Sequence, residues 1–247
     1  MRGPAAPPDG AAHRRPYDLL VFDWDGTVMD SVDSIVACTR ATVAELGLAP
    51  MPEERIRETI GLGMGETIER LAPDATAAEA ARVLECFRRL WIETYRHRLV
   101  LFAGATGLLD DLADAGYLLA VATAKSRRGL DHDLAVSGLA GRFHATRTAD
   151  EAFSKPHPKM LLDLLDELGV AASRALMVGD AVWDLQMAAN AGVPALAVCS
   201  GACTRDELLA HGPLACLPGI TELAGWLEGA TPAPAGPAAT TDGGARR

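Results

Sequence analysis

Apolar and polar positions follow two rhythms along this chain. Short unbroken apolar runs occur at YDLLVFD (17–23), GYLLAVAT (116–123), ALMVGD (175–180), PALAV (194–198) and LACL (214–217). Such runs are too short for helices and suit parallel strands buried on both faces. Between them lie stretches with helical spacing: TGLLDDLADA (106–115), RRGLDHDLAVSG (127–138), PKMLLDLLDELG (158–169) and WDLQMAANAG (183–192). Strands alternating with helices predict an α/β fold, a parallel sheet covered on both sides. Gly116, Gly169 and Gly192 follow three of the helices and fit C-terminal caps.

Residues 32–100 break the alternation. SIVACTRATVAELG, PEERIRETI, GETIERLA and the long TAAEAARVLECFRRLWIETYRHRL all read as helical, with Ala81, Leu84, Phe87, Leu90 and Trp91 on one apolar stripe of the last. So much helix after the first strand is more than a crossover needs. It predicts a small helical domain carried on linkers near 30–33 and 98–104. The expected organisation is a core of residues 16–31 and 101–228, a helical cap of residues 32–100, and disordered Ala-, Pro- and Gly-rich tails at 1–15 and 229–247.

Charge and cysteine content narrow the setting. A net charge of −10 and an isoelectric point near 5.0 argue against nucleic acid or an anionic membrane as partner. No apolar run reaches the roughly 18 residues of a membrane span. The first fifteen residues lack the apolar segment of a signal peptide. The five cysteines are odd in number, and their spacing fits neither a disulfide framework nor a zinc site. Reduced thiols in the cytoplasm are expected.

The chemistry gathers where strands end, which is where open parallel sheets bind ligands. The first run ends in FDWDGT, with Asp23 and Asp25 one residue apart. In an extended backbone such positions share a side. Two carboxylates about 5 Å apart repel by roughly 3 kcal/mol at an effective dielectric of about 20, a large cost against a net stability of about 5–15 kcal/mol. The pair therefore predicts a neutralising partner. Thr123 ends the second run, and Gly179 and Asp180 end the third, with Asp184 four residues on. Lys155 lies in the SKPHP loop. Carboxylates, a hydroxyl, an ammonium and backbone amides together suit a hard divalent cation and a phosphate. Asp23 and Asp180 can ligate the cation. Thr123, Lys155 and the amide at a helix start after Ala124 can hold phosphate oxygens.

DWDGT, the Thr of VATAKS, the Lys of SKPHP and GDAVWD stand in the order and spacing of the four motifs of the haloacid dehalogenase superfamily. The sequence most resembles its phosphoglycolate phosphatase-like branch, over nearly all of residues 17–228. The resemblance implies a Rossmann-like core with an inserted α-helical cap, and a Mg2+-dependent phosphatase for a small phosphorylated metabolite. It implies that Asp23 is the nucleophile, that Asp25 is general acid and then base, and that Thr123 and Lys155 stabilise the transferring phosphoryl group. It also implies that Asp23, the carbonyl of Asp25 and Asp180 ligate the metal, with Asp184 in its outer shell. Trp24 stands where Leu or Met is more usual in the family, and Ala124 where Asn or Gly is common. The GLGMG turn (61–65) would be the cap loop that dips towards the site. Arg55, Arg57 and Arg70 are cap cations able to meet a substrate carboxylate. Three other functions compete with hydrolysis: a hexose phosphate mutase on the same scaffold, a haloacid dehalogenase, whose attack on carbon needs neither Asp25 nor a metal cluster, and a regulator that binds a phosphorylated metabolite without turnover.

Overall fold

The computed structural model describes residues 15–230. The expected tails lie almost wholly outside that range. In chain order come β1 (Leu19–Phe22), the two-residue β2 (Met29–Asp30), and the helices α1 (Val32–Glu45), α2 (Glu53–Arg57), α3 (Met64–Leu71) and α4 (Ala77–Leu90). α4 continues without a break as a π-helical stretch at Trp91–Tyr95 and a 3-10 stretch at Arg96–Arg98, which lead to β3 (Val100–Leu101). Then follow α5 (Ala105–Asp114), β4 (Leu118–Thr123), α6 (Arg127–Val136), β5 (Ala145–Thr148), α7 (Lys159–Leu168), β6 (Ala175–Gly179), α8 (Val182–Ala191), β7 (Ala195–Val198), α9 (Arg205–Leu209), β8 (Cys216–Leu217) and α10 (Leu223–Gly229).

Six strands form one parallel sheet in the order β5-β4-β1-β6-β7-β8. The chain leaves β1 towards β4 and β5, then crosses back to β6. The order therefore reverses at β1, and a crevice opens there at the carboxyl ends of the strands. Successive side chains alternate between the two faces. Leu20, Phe22, Leu119, Val121, Leu176 and Val178 pack with α5 and α10. Leu19, Val21, Ala120, Ala122, Ala175 and Met177 pack with α7 and α8. Every one of these strand residues is fully buried, which explains the unbroken apolar runs. Each large aliphatic or aromatic side chain so buried contributes about 1.5–3 kcal/mol.

The α/β core with its helical insertion is as expected, and three details differ. First, β5 was not foreseen. It is an edge strand of sequence ATRT, half-buried at its two middle positions, so it carries no apolar run. Second, the expected helix over 76–99 stays helical to Arg98 but changes its winding after Leu90, first to a wider π-helical stretch at Trp91–Tyr95 and then to a tight 3-10 stretch at Arg96–Arg98. Its start follows the sequence, with Thr76 and Glu79 closing a reciprocal capping box. Third, the two linkers pair with each other. Met29 and Asp30 lie antiparallel to Leu101 and Val100, so the insertion leaves and re-enters the core through one short ribbon. Its apolar residues Val32, Val36, Ile56 and Ile60 cluster together and reach Ala202 of the core.

Candidate active site

Asp23 follows the last residue of β1, and its backbone N–H still donates to Val178 of β6 at 2.9 Å. Asp180 follows β6, and Asp184 lies in the first turn of α8. The three are buried, and one oxygen from each lies within 4.8 Å of the others. Their supports differ. Asp180 Oδ1 accepts from the Thr27 hydroxyl at 2.7 Å, and Oδ2 from the Ala202 amide at 2.8 Å. Asp184 Oδ2 accepts from the Ala181 amide at 3.1 Å. Lys155, fully buried, donates to Asp23 Oδ1 and Asp184 Oδ1, both at 2.6 Å. Asp23 Oδ2 has no hydrogen-bond donor among the described residues.

Three carboxylates against one ammonium leave an acidic surplus with little water to solvate it. Burial pushes Asp23 well above the usual carboxylate range, with Lys155 opposing and the two other acids reinforcing the shift. Asp180 is raised to about 7, first by burial and then by Asp184. For Lys155 burial disfavours the charge, but Asp184 and Asp23 outweigh it and the amine titrates higher than usual. This donor set fits a divalent cation: hard oxygens, convergent, and short of positive charge. Gly26 closes the same corner. It has a φ of 87°, and a Cβ there would stand 2.3 Å from Asp180 Oδ2, so no side chain fits.

The structure does not draw Asp25 into the acidic cluster. The chain turns after β1: the Trp24 carbonyl accepts from the Val28 and Met29 amides at 3.0 and 2.9 Å. Asp25 instead accepts from Ser31 at 2.6 Å and from Lys125 at 3.0 and 3.2 Å. The paired aspartates of the sequence are thus neutralised separately, Asp23 by Lys155 and Asp25 by Lys125. Sequence reasoning passed over Lys125.

Thr123 ends β4, buried, and its hydroxyl accepts from the Lys125 amide at 3.2 Å. The helical stretch read over 127–138 forms α6, which starts at Arg127, three residues after Ala124. Ser126 caps α6 by accepting from the Gly129 amide, because its hydroxyl supplies the acceptor that Ala124 lacks. The Arg127 amide is taken by Asp150. Ala124 and Lys125 form the bend that leads into this helix start. Arg127 is committed to Glu151 and Asp131.

The helical insertion touches the site from above. The Gly63 amide, in the GLGMG turn, donates to Ser154 Oγ at 2.7 Å, next to Lys155. Trp183, between Asp180 and Asp184, donates to the Glu58 carbonyl at 3.1 Å. Arg70 lies over the Trp183 ring at 4.4 Å. Arg57 is engaged by Glu53 and Asp33.

A parallel α/β core with a helical insertion over an acidic, lysine-bearing crevice defines a class of hydrolases, and comparison with known proteins agrees. Residues 20–198 match the model of the haloacid dehalogenase-like hydrolases, and the chain belongs to that family. It is 34% identical over 212 residues to the probable phosphatase IndB of Dickeya dadantii, covering 84% of this chain and 92% of that protein. It is 32% identical over 232 residues to a phosphoglycolate phosphatase of Rhodospirillum rubrum, covering 87% and 96%. Its fold matches the crystal structure of a hydrolase from Pseudomonas syringae with a TM-score of 0.77, at 25% identity and 86% and 98% coverage. Among the described residues no helix is long and apolar enough to cross a membrane.

Proposed function

We propose that this protein is a Mg2+-dependent phosphatase that hydrolyses a small phosphorylated metabolite, phosphoglycolate or a close relative, through a phosphorylated Asp23, in the cytoplasm. The observation that carries the reading is the meeting of Asp23, Asp180, Asp184 and Lys155 at the switch point of the sheet. Family membership and the phosphatase names of its relatives support it.

Asp23, the carbonyl of Asp25 and Asp180 would hold the cation, and Asp184 is close enough to join them or to bind its waters. A bound cation would supply positive charge to the transferring phosphoryl oxygens and would offset the acidic surplus. The chain does the rest. Asp23 Oδ2, unencumbered, attacks phosphorus, while Lys155 fixes Oδ1. Thr123 and Lys155 steady the equatorial oxygens. Asp25 gives a proton to the departing alcohol and then takes one from the water that cleaves the aspartyl-phosphate. The helical insertion acts as a cap that excludes bulk water and selects the leaving group.

Turnover of p-nitrophenyl phosphate and of about a hundred phosphorylated metabolites, with Mg2+ and with EDTA, tests this reading. Hydrolysis lost in EDTA and restored by Mg2+ supports it. Isomerisation of a hexose phosphate without phosphate release would favour the mutase. Tight binding of a phosphorylated metabolite without turnover would favour the regulator.

A further inference from the structure

Lys125 is mostly buried, its side chain 9% exposed, and it lies outside the acidic cluster. Besides Asp25 it meets Asp133 Oδ2 at 3.0 Å. Asp133 is itself buried, on the inner side of α6, where a helix normally places apolar residues. The same Asp133 oxygen accepts from the indole N–H of Trp24 at 3.1 Å. Trp24 is fully buried between the two aspartates of FDWDGT. Its N–H would otherwise be a stranded donor, at a cost of about 1–3 kcal/mol. From the insertion, the Trp91 ring covers the Lys125 ammonium at 5.2 Å. A buried lysine spanning two carboxylates, one of them anchored by a buried tryptophan, is a costly arrangement for a residue with no task.

We propose that Lys125 is the positioning residue for Asp25: Asp133 and Trp24 fix its ammonium, and the ammonium fixes the Asp25 carboxyl where the leaving group must pass. This deepens the phosphatase reading and rests on it. Lys125 acts through Asp25, whose two carboxyl oxygens it meets at 3.0 and 3.2 Å. It sets the direction of Asp25 together with Ser31, which holds the same carboxyl from the linker side. Trp91 brings the helical insertion into the arrangement, so that a seated insertion and an aligned Asp25 go together. The network also accounts for Trp24, since a Leu or Met there would leave Asp133 without its indole donor.

The test compares two esters of similar size without a second charge. Phenolate, whose conjugate acid has a pKa of about 10, needs a proton to leave well, whereas p-nitrophenolate leaves without one. Lys125→Met should lower kcat/KM for phenyl phosphate about tenfold more than for p-nitrophenyl phosphate, a part of the usual general-acid contribution. Lys125→Arg should recover some of that difference. Asp133→Asn should shift the ratio the same way by less, and it decides the matter if Lys125→Met does not fold. Equal losses on both esters, no loss, or a rise in KM alone would overturn the positioning role while leaving the phosphatase intact. A wild-type protein that hydrolyses neither ester would overturn the phosphatase reading, and this inference with it.

Discussion

Replacing Asp23 by Asn should abolish turnover and leave the metal-free fold as stable as before, or slightly more so. Asp23 lies within 4.8 Å of the Asp180 and Asp184 oxygens. At an effective dielectric of about 20, each such repulsion is worth about 3.5 kcal/mol. Against this stands the Lys155 ammonium at 2.6 Å, an attraction of about 6 kcal/mol on the same scale. The two repulsions and the one attraction nearly cancel. What remains is the desolvation of a buried charge, which the amide avoids. Lys155 keeps its bond to Asp184, so no buried cation is left alone. A change of 1 kcal/mol moves the Tm of a protein this size by about 2–4 °C, so the variant should melt within a few degrees of wild type in EDTA. Mg2+ should raise its Tm less than it raises that of wild type, because one ligand is gone. Thermal melts with and without Mg2+, beside p-nitrophenyl phosphate turnover, read all three quantities. A Tm more than about 8 °C below wild type in EDTA would refute the charge balance. Turnover within tenfold of wild type would refute the nucleophile.

Other expectations follow from the same geometry. Asp180→Ala should raise the Mg2+ concentration for half-maximal activity at least tenfold, with activity returning partly at high Mg2+; an unchanged Mg2+ dependence would place the metal elsewhere. Gly63→Val should lower kcat/KM for the metabolite substrate far more than for p-nitrophenyl phosphate, because a Cβ there would stand 2.9 Å from Ser154 Oγ and push the turn off the core; equal losses would make the turn a mere connection. Since Asp180 moves from 3.8 to about 7 on folding, the metal-free native state holds more protons than the unfolded chain between those values, and stability should fall as pH rises from about 4 to about 7. Melts in EDTA across that range should show the decline and saturating Mg2+ should reduce it; a rise in EDTA would contradict the assignment.

The strands that carry the chemistry were legible because both of their faces are buried, which forces β1, β4, β6 and β7 into apolar runs. The residues after them stood out for the opposite reason, as charges where burial begins. Strand β5 was hidden by its edge position, and the β2–β3 ribbon by having only two residues on each side. Lys125 was lost in the basic stretch AKSRR, which reads as solvated. One signal for it was present: Asp133 falls three residues after Leu130 on the apolar stripe of α6, and a carboxylate there requires a partner. The separate neutralisation of Asp23 and Asp25 could not be read, because it depends on the turn of the backbone at Trp24.

The central claim is that phosphate passes through Asp23. Acid quenching of the protein during turnover of p-nitrophenyl phosphate, followed by borohydride reduction and peptide mass spectrometry, tests it directly. An acyl phosphate at Asp23 would be reduced to homoserine, and the peptide spanning residue 23 should carry that change only when substrate and Mg2+ are both present. Turnover with the phosphoryl group on another side chain, or with residue 23 unchanged under every condition, would contradict the account.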